Sequence, residues 1–376
     1  NLPDIWSFRS STIELEYLPK KISGRLTKIP PSFSLLDINA DMAREEIKVL
    51  NKRLENISYS EVNLNLLNNT FLRLLNLYEF LGDYEHGLNK SEDFLQLAEK
   101  YSYRKNNPEV FVKILDNKAK FLFYKGLFKD AEKLLDTIIK TEKQIYEPDH
   151  PNLASSYSNL ALVRQANGEY LTAKELLEES IRINIKANGE KHPLTAIYYS
   201  YYASVLKDLR DYENSKINIE KAINIDLQNF GVEHPSTIAK YALLASLLQE
   251  IGDFERAMNI LSDVIKSSEK IYGKNHQITA SHYTNLASLM IDKEQYTKAF
   301  ELLEKSKKIF ECNSATDHPE MAIIYSYLAL SEYKLGNHTK AKAYKSDAYQ
   351  ILNNKFDKGH PVVRTIEDLL KKINAS

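Results

Sequence analysis

Cysteine is almost absent from this sequence, which contains a single thiol, Cys312. One thiol cannot form an internal disulfide, so the sequence favours a reducing compartment. The residues that follow it, Asn313 and Ser314, are typical of a surface connection. We therefore do not expect Cys312 to act as a nucleophile.

The sequence also lacks an excess of one charge, because 50 basic and 51 acidic residues give a formal net charge of −1. Nucleic-acid binders usually carry a basic excess or stripe, so no nucleic-acid partner is expected. No apolar run approaches the roughly 20 residues that span a bilayer. The first residues lack the basic and apolar segments of a signal peptide. We expect no membrane insertion and a cytoplasmic protein, in a host cytosol if it is a secreted bacterial effector.

Catalytic motifs are missing as well. The sequence contains no glycine-rich phosphate loop, no His-Glu-x-x-His motif and no nucleophile elbow. We expect neither an enzyme nor a cofactor. An enzyme would need a site within residues 1–60 that no motif reveals.

The sequence does contain an internal repeat of 42 residues. A fixed period of this length indicates a repeat architecture. Histidine recurs at this spacing at His150, His192, His234, His276, His318 and His360. Proline follows every one of these histidines except His276, which precedes Gln277. Alanine recurs at Ala119, Ala161, Ala203, Ala245, Ala287 and Ala329. Tyrosine recurs at Tyr157, Tyr199, Tyr241, Tyr283 and Tyr325.

Each unit predicts two helices joined by a tight turn. Proline suits the first position of a helix, where its missing N–H costs nothing. Apolar residues then recur at helical spacing, and a glycine such as Gly168 ends the first helix. Arg210 and Glu294 replace this glycine in two copies. A hairpin of this kind buries its apolar face only against neighbouring hairpins, so the repeat predicts a solenoid.

The histidines are predicted to start helices and not to bind metal. Equivalent positions in packed neighbouring helices lie on the order of 10 Å apart. Zinc needs its ligand atoms about 2 Å from one centre.

The tyrosines are predicted to pack between helices, with stacking on a ligand as the alternative.

The motif His-Pro-x5-Tyr-x-Asn-Leu-Ala, seen from His150 to Ala161, is followed by Gly-x-Tyr-x-x-Ala from Gly168 to Ala173. Together these motifs resemble the tetratricopeptide repeat. The 42-residue form with His-Pro at its start is similar to the repeats of kinesin light chains and of many bacterial scaffold and sensor proteins. The resemblance covers residues 107–376. It implies an all-α fold, a right-handed α-solenoid of helix-turn-helix hairpins.

The predicted organisation begins with an extended N-terminal strap, residues 1–32, and a capping helix within residues 33–61. An array then fills residues 62–376. Its parts are a degenerate repeat at 62–106, repeats at about 107–149, 150–191, 192–233, 234–275, 276–317 and 318–359, and a C-terminal capping helix at 360–376.

The resemblance also implies a binding groove lined by the first helix of each hairpin. The position two residues before the repeating alanine points into it, and here it holds Asn117, Asn159, Tyr201, Leu243, Asn285 and Tyr327. An asparagine amide donates and accepts at once, which matches the backbone of an extended peptide. A solvated polar surface is the alternative.

Acidic residues recur near the end of the first helix, at Asp208, Glu250 and Asp292. Three acids at equivalent positions of successive repeats would attract a basic segment of a partner. A solvated face is the alternative. Chaperone-binding relatives clamp a carboxylate with basic residues. That clamp is not expected here, because Leu72, Ser155 and Asn159 hold its basic positions.

These observations predict a scaffold that binds a peptide or protein in the groove of the solenoid. The alternative is a sensor module of a larger signalling protein, such as a STAND-type NTPase or a relative of peptide-pheromone receptors. The identity of the partner and the oligomeric state are not encoded in any motif.

Overall fold

The computed structural model describes residues 40–55, 64–313, 315–356, 358, 360–371 and 373. Within these residues the chain is all-α, and consecutive antiparallel hairpins form a right-handed α-solenoid, as the repeat predicts. The strap predicted at residues 1–32 lies outside the described residues.

Helices account for nearly all of the described chain. In chain order they are α1 Ala40–Glu55, α2 Leu64–Phe80, α3 Tyr84–Lys100, α4 Tyr103–Asn106, α5 Pro108–Lys125, α6 Phe128–Ile145, α7 Pro151–Ala166, α8 Tyr170–Asn188, α9 Pro193–Asp208, α10 Tyr212–Asn229, α11 Pro235–Glu250, α12 Phe254–Ile271, α13 Gln277–Asp292, α14 Tyr296–Cys312, α15 Pro319–Lys334, α16 His338–Lys355 and α17 Pro361–Lys371. From α5 onward, the first and second helices of successive hairpins alternate, and α17 follows the last hairpin.

Each repeating histidine caps the first helix that follows it. The ring Nδ1 accepts a hydrogen bond from the backbone N–H two residues later, as at His150 with Asn152 and at His360 with Val362. All six histidines make this bond, at 3.1–3.2 Å. The bond satisfies one of the N–H groups that a helix leaves free at its start. The ring nitrogen is therefore already used within the chain.

The turn inside each hairpin holds one residue in the left-handed region. Gly168 has φ +84°, and the replacements Arg210 and Glu294 have φ +62° and +58°. An L-residue pays a steric penalty for this conformation. The turn is thus kept even where glycine is missing, because the two flanking helices fix it.

Small residues mark the contacts between helices. Every repeating alanine of the first helices is buried, as is the small residue of the second helices. The second-helix positions are Ala131, Ala173, Ser215, Ala257, Ala299 and Ala341. A larger side chain at such a contact would force the helices apart.

The last hairpins contact the first ones. A Cβ placed on Gly82 would lie 2.3 Å from Cδ of Pro319, and one on Gly126 would lie 3.1 Å from Cβ of His360. The rings of Phe128 and His360 are 5.7 Å apart. Gly82 and Pro319 are separated by between five and six 42-residue repeats. The solenoid therefore completes a superhelical turn, and we call this contact the seam.

The seam changes the environment of the cap histidines. His318 and His360 are 1% and 4% exposed, whereas the four earlier cap histidines are half-buried. Burial lowers the pKa of His360 to about 3, and the charge of Arg364 adds to this effect. One residue type in one local role thus has two tertiary environments.

Candidate functional site

The first helices of consecutive hairpins form the inner wall of the solenoid. The first helices of successive hairpins contact each other directly, α7 with α9, α9 with α11 and α13 with α15. In the described chain, no two second helices are in comparably close contact. Helices that approach more closely lie on the inside of a curved stack. The concave wall is therefore built from α5, α7, α9, α11, α13 and α15.

The two asparagines at the start of the predicted groove row are half-buried on this wall. Nδ2 of Asn159 donates a hydrogen bond to Oδ1 of Asp116 in the preceding repeat, at 2.7 Å. Nδ2 of Asn117 donates to the backbone oxygen of Lys113 in its own helix, at 2.8 Å. Both amides are held in fixed orientations, and each keeps a side-chain oxygen that can accept a bond.

The later members of that row differ in exposure. Asn285 is half-buried, and Tyr201 and Tyr327 are 5% and 9% exposed. The Tyr327 hydroxyl accepts a hydrogen bond from Ser288 at 3.1 Å. Burial raises the pKa of Tyr327 to about 12. These two tyrosines pack between repeats, so little of their surface is exposed.

The predicted acidic row lies at the end of the inner helices, where Asp208 and Asp292 are exposed and Glu250 is half-buried. Each aspartate accepts a hydrogen bond at 2.6 Å from a glutamine of the preceding repeat, Gln165 and Gln249. The aspartates are thus oriented and still solvent-accessible.

The two glutamines were not singled out by the sequence reasoning. The Nε2 of Gln165 also donates a hydrogen bond to the hydroxyl of Ser204, and the Nε2 of Gln249 donates one to the hydroxyl of Ser288. Their spacing of two repeats in the sequence was the available signal. These bonds link neighbouring inner helices and hold the polar side chains of the wall in fixed positions.

A second group that the sequence reasoning missed lies between the hairpins α5–α6 and α7–α8. Asp116 is half-buried and Glu142 is 2% exposed. Burial raises the pKa of Asp116, against the opposing effects of the Asn159 hydrogen bond and the charge of Lys120. Burial also raises the pKa of Glu142 to about 7, with a bond to Ser156 opposing and the charge of Asp116 adding to the rise. We call Asp116 and Glu142 the acid pair.

A buried tyrosine lies beside the acid pair. Tyr198 on α9 shares a hydrogen bond of 2.9 Å with the Ser155 hydroxyl. Burial raises its pKa to about 12, and both members of the acid pair contribute to that rise. Tyr198 therefore stays neutral near pH 7 and adds no charge to the group.

Comparison with protein families gives a direct match. The tetratricopeptide repeat model matches residues 111–186, 153–228, 239–312 and 278–354, which together exceed half of the chain. A search of curated proteins finds no match.

Solved structures with similar folds include a Rap protein complexed with competence and sporulation factor. The two structures superpose with a TM-score of 0.58 at 14% identity, and the match covers 89% of this chain and 93% of that one. BtubC (BKLC) from P. vanneervenii matches with TM-score 0.50 and 18% identity, covering 61% and 91%. A putative kinesin light chain of Podosopora anserina with nearly identical repeats matches at 25% identity and TM-score 0.44, covering 53% and 94%.

Within the described residues, no helix is both long enough and apolar enough to cross a membrane.

Proposed function

Because this chain belongs to the tetratricopeptide repeat family, we propose that it holds a protein or peptide partner in its concave groove. Proteins of this fold typically serve as interaction scaffolds. On this proposal the chain performs no catalysis and works in the cytoplasm.

The observation that carries the proposal is the pre-organised polar wall. Asn159 is bonded to Asp116, Gln165 to Asp208, and Gln249 to Asp292, each across a repeat boundary. Polar groups held in place lose little side-chain entropy when a partner binds. A wall of oriented amides and carboxylates suits the N–H and C=O groups of an extended segment.

The asparagines Asn117 and Asn159 are the proposed central contacts, with Asn285 farther along the groove. Tyr201 and Tyr327 contribute packing on this proposal, since both are buried. The acidic row of Asp208, Glu250 and Asp292 would favour a basic segment of the partner.

The test begins with capture of partners by the purified chain and their identification by mass spectrometry. Calorimetry then compares the parent with the double variant Asn117→Ala/Asn159→Ala. Each amide could supply two bonds of about 0.5–1.5 kcal/mol net, so we expect affinity to fall by roughly 2–4 kcal/mol, or about 30- to 1,000-fold.

The matched control is Asn353→Ala/Asn354→Ala, a pair of exposed asparagines on the second helix α16. It removes the same chemical groups outside the inner wall. Equal affinity of the parent and the Asn117/Asn159 variant would place the partner elsewhere and refute the groove proposal. A further variant, Asp208→Lys/Glu250→Lys, should slow association with a basic partner and reduce its salt dependence.

A second candidate function is a sensor that responds to a short peptide. The similarity in fold to the Rap protein complexed with competence and sporulation factor, which extends over most of both chains, motivates this candidate. On this candidate, a bound peptide changes the affinity for a second protein, and the reverse effect must be equal in size. Measuring partner affinity with and without a captured peptide distinguishes a sensor from a simple scaffold.

A further inference from the structure

The same position of the repeat carries a buried acid at two interfaces between repeats, and among the described residues only one of these acids has a cation beside it. Glu142 on α6 and Asp226 on α10 are equivalent residues two repeats apart. Asp226 is 1% exposed, and its Oδ2 lies 2.8 Å from Nζ of Lys240, which is 3% exposed. Lys240 also donates to the hydroxyl of Ser236 at 2.8 Å. The charge of Asp226 is thereby balanced inside the fold.

At the earlier interface the residue equivalent to Lys240 is Ser156. A serine hydroxyl donates one hydrogen bond and carries no charge. Ser156 bonds the Glu142 carboxyl, and the other carboxyl oxygen, Oε2, is buried without a hydrogen-bond partner in the described chain. A buried carboxylate without a counter-charge is costly. The internal copy shows that a lysine ammonium is a chemical group that fits an acid at this point of the repeat.

The basic residue whose charge acts on Asp116 does not fill this role. Lys120 acts on Asp116 through its charge, but its Nζ lies 2.6 Å from Oε2 of Glu79. Asp116 and Asn159 are half-buried on the concave wall, while Glu142 lies deeper. The acid pair therefore reaches from the partly exposed Asp116 on the inner helix α5 to the buried Glu142 on the second helix α6.

We propose that the acid pair binds a lysine or arginine side chain of the partner held in the groove, in the role that Lys240 has toward Asp226. This proposal rests on the proposed function and adds the chemistry of one partner residue. An arginine would offer a planar fork of N–H donors to a carboxylate, and a lysine would offer a compact charge. The asparagines Asn117 and Asn159 flank the position, so the cation would be anchored beside the backbone of the partner.

The test uses small cations in place of the unidentified partner. The probes are n-butylammonium and n-butylguanidinium chloride, and sodium chloride and tetramethylammonium chloride serve as controls at equal ionic strength. We expect both probes, and neither control, to raise the melting temperature of the full chain in a saturable manner. Binding should be tighter at pH 8 than at pH 5, because Glu142 must be ionised. Asp116, Lys120 and Tyr198 are the other titratable groups at this point.

Two substitutions probe the pair itself. Glu142→Gln keeps the side-chain shape and removes the charge, and it should weaken probe binding by more than about tenfold. Ser156→Lys copies the arrangement of Lys240 and should stabilise the fold while abolishing the response to the probes.

Glu332→Gln is the matched control. Glu332 is also a buried acid, but it already has Asn337 and Lys340 as partners. This control should leave probe binding unchanged.

Several outcomes would overturn the proposal. Probe binding that is equal in the parent and in Glu142→Gln would do so. So would a parent that ignores both probes while Glu142→Gln is more stable, because Glu142 would then simply be held protonated. A partner that needs Asn117 and Asn159 but tolerates Glu142→Gln would refute this inference and leave the proposed function intact.

Discussion

The hairpin turns at the start of the array and those in its middle share one backbone conformation but differ in what they touch. Gly82 and Gly168 have φ of +64° and +84°. A Cβ on Gly82 would meet Pro319 at 2.3 Å, whereas a Cβ on Gly168 or Gly252 would meet nothing within 4 Å. In the middle of the array glycine serves the turn alone. At the seam it serves both the turn and the closure of the superhelix.

This difference teaches that one repeating sequence signal can carry two physical meanings. The cost of replacing a mid-array glycine lies in the backbone of that residue. At the seam the same replacement also disturbs a contact between residues more than five repeats apart. Paired substitutions at equivalent positions can separate the two contributions.

The largest effect is expected for Gly82→Ala. The new methyl group would overlap the Pro319 ring, and the left-handed backbone adds a second penalty, so we expect a loss of about 3 kcal/mol in the free energy of unfolding. Chemical denaturation measures the loss. Small-angle scattering should show a larger radius of gyration if the seam opens.

Gly168→Ala is the control for this prediction. It carries the same backbone penalty without the contact and should cost about 1 kcal/mol, with no change in the radius of gyration. Equal losses in the two variants would mean that the seam contributes nothing in solution.

The next effect concerns pH at the two kinds of cap. His360 at the seam has its pKa lowered to about 3, so the unfolded chain binds a proton there more readily than the folded chain. Stability from this residue is therefore complete above about pH 6.5 and is lost as pH falls toward 3. By about pH 5 the acid destabilisation from His360 should already reach about 2 kcal/mol.

Replacing His360 with asparagine, another capping residue, should flatten the acid limb of the stability profile by that amount. His192 is half-buried, and burial lowers its pKa. His192→Asn should therefore flatten the same limb less. Denaturation at a series of pH values measures both, and identical profiles for the two variants would contradict the distinction between seam and open caps.

The local part of the fold was readable from sequence because it repeats. Histidine, proline and glycine at fixed offsets predict where helices start and end, and the caps at His150 and His360 confirm that reading. The turn at Arg210 also keeps its place without glycine. Each of these features depends only on neighbouring residues and on the adjacent repeat.

The seam could not be predicted in the same way. Whether Gly82 meets Pro319 depends on the sum of many small rotations between repeats, and no motif encodes that sum. The candidate site lies between these extremes. The groove row with Asn159 and the acidic row with Asp208 were each predicted as a set of positions. The acid pair was missed because Asp116 and Glu142 occur on different helices and only packing brings them together.

The smallest expected effect sharpens the comparison within the open turns. Arg210 and Glu294 adopt the left-handed conformation at φ +62° and +58°, where four other repeats have glycine. The left-handed conformation costs an L-residue roughly 1–2 kcal/mol, and substitution by glycine removes this cost. Part of the resulting gain is lost because the unfolded state of glycine has more conformational freedom. Arg210→Gly and Glu294→Gly should therefore each stabilise the chain by about 0.5–1 kcal/mol.

The reverse change, Gly252→Ala, should destabilise it by a similar amount, since a Cβ there meets nothing within 4 Å. Neither Arg210 nor Glu294 is buried, so the loss of its side chain should cost little packing. Thermal and chemical denaturation of the three variants would measure these differences. A destabilised Arg210→Gly would show that its side chain makes contacts worth more than the backbone strain, and the open turns would then not be equivalent to one another.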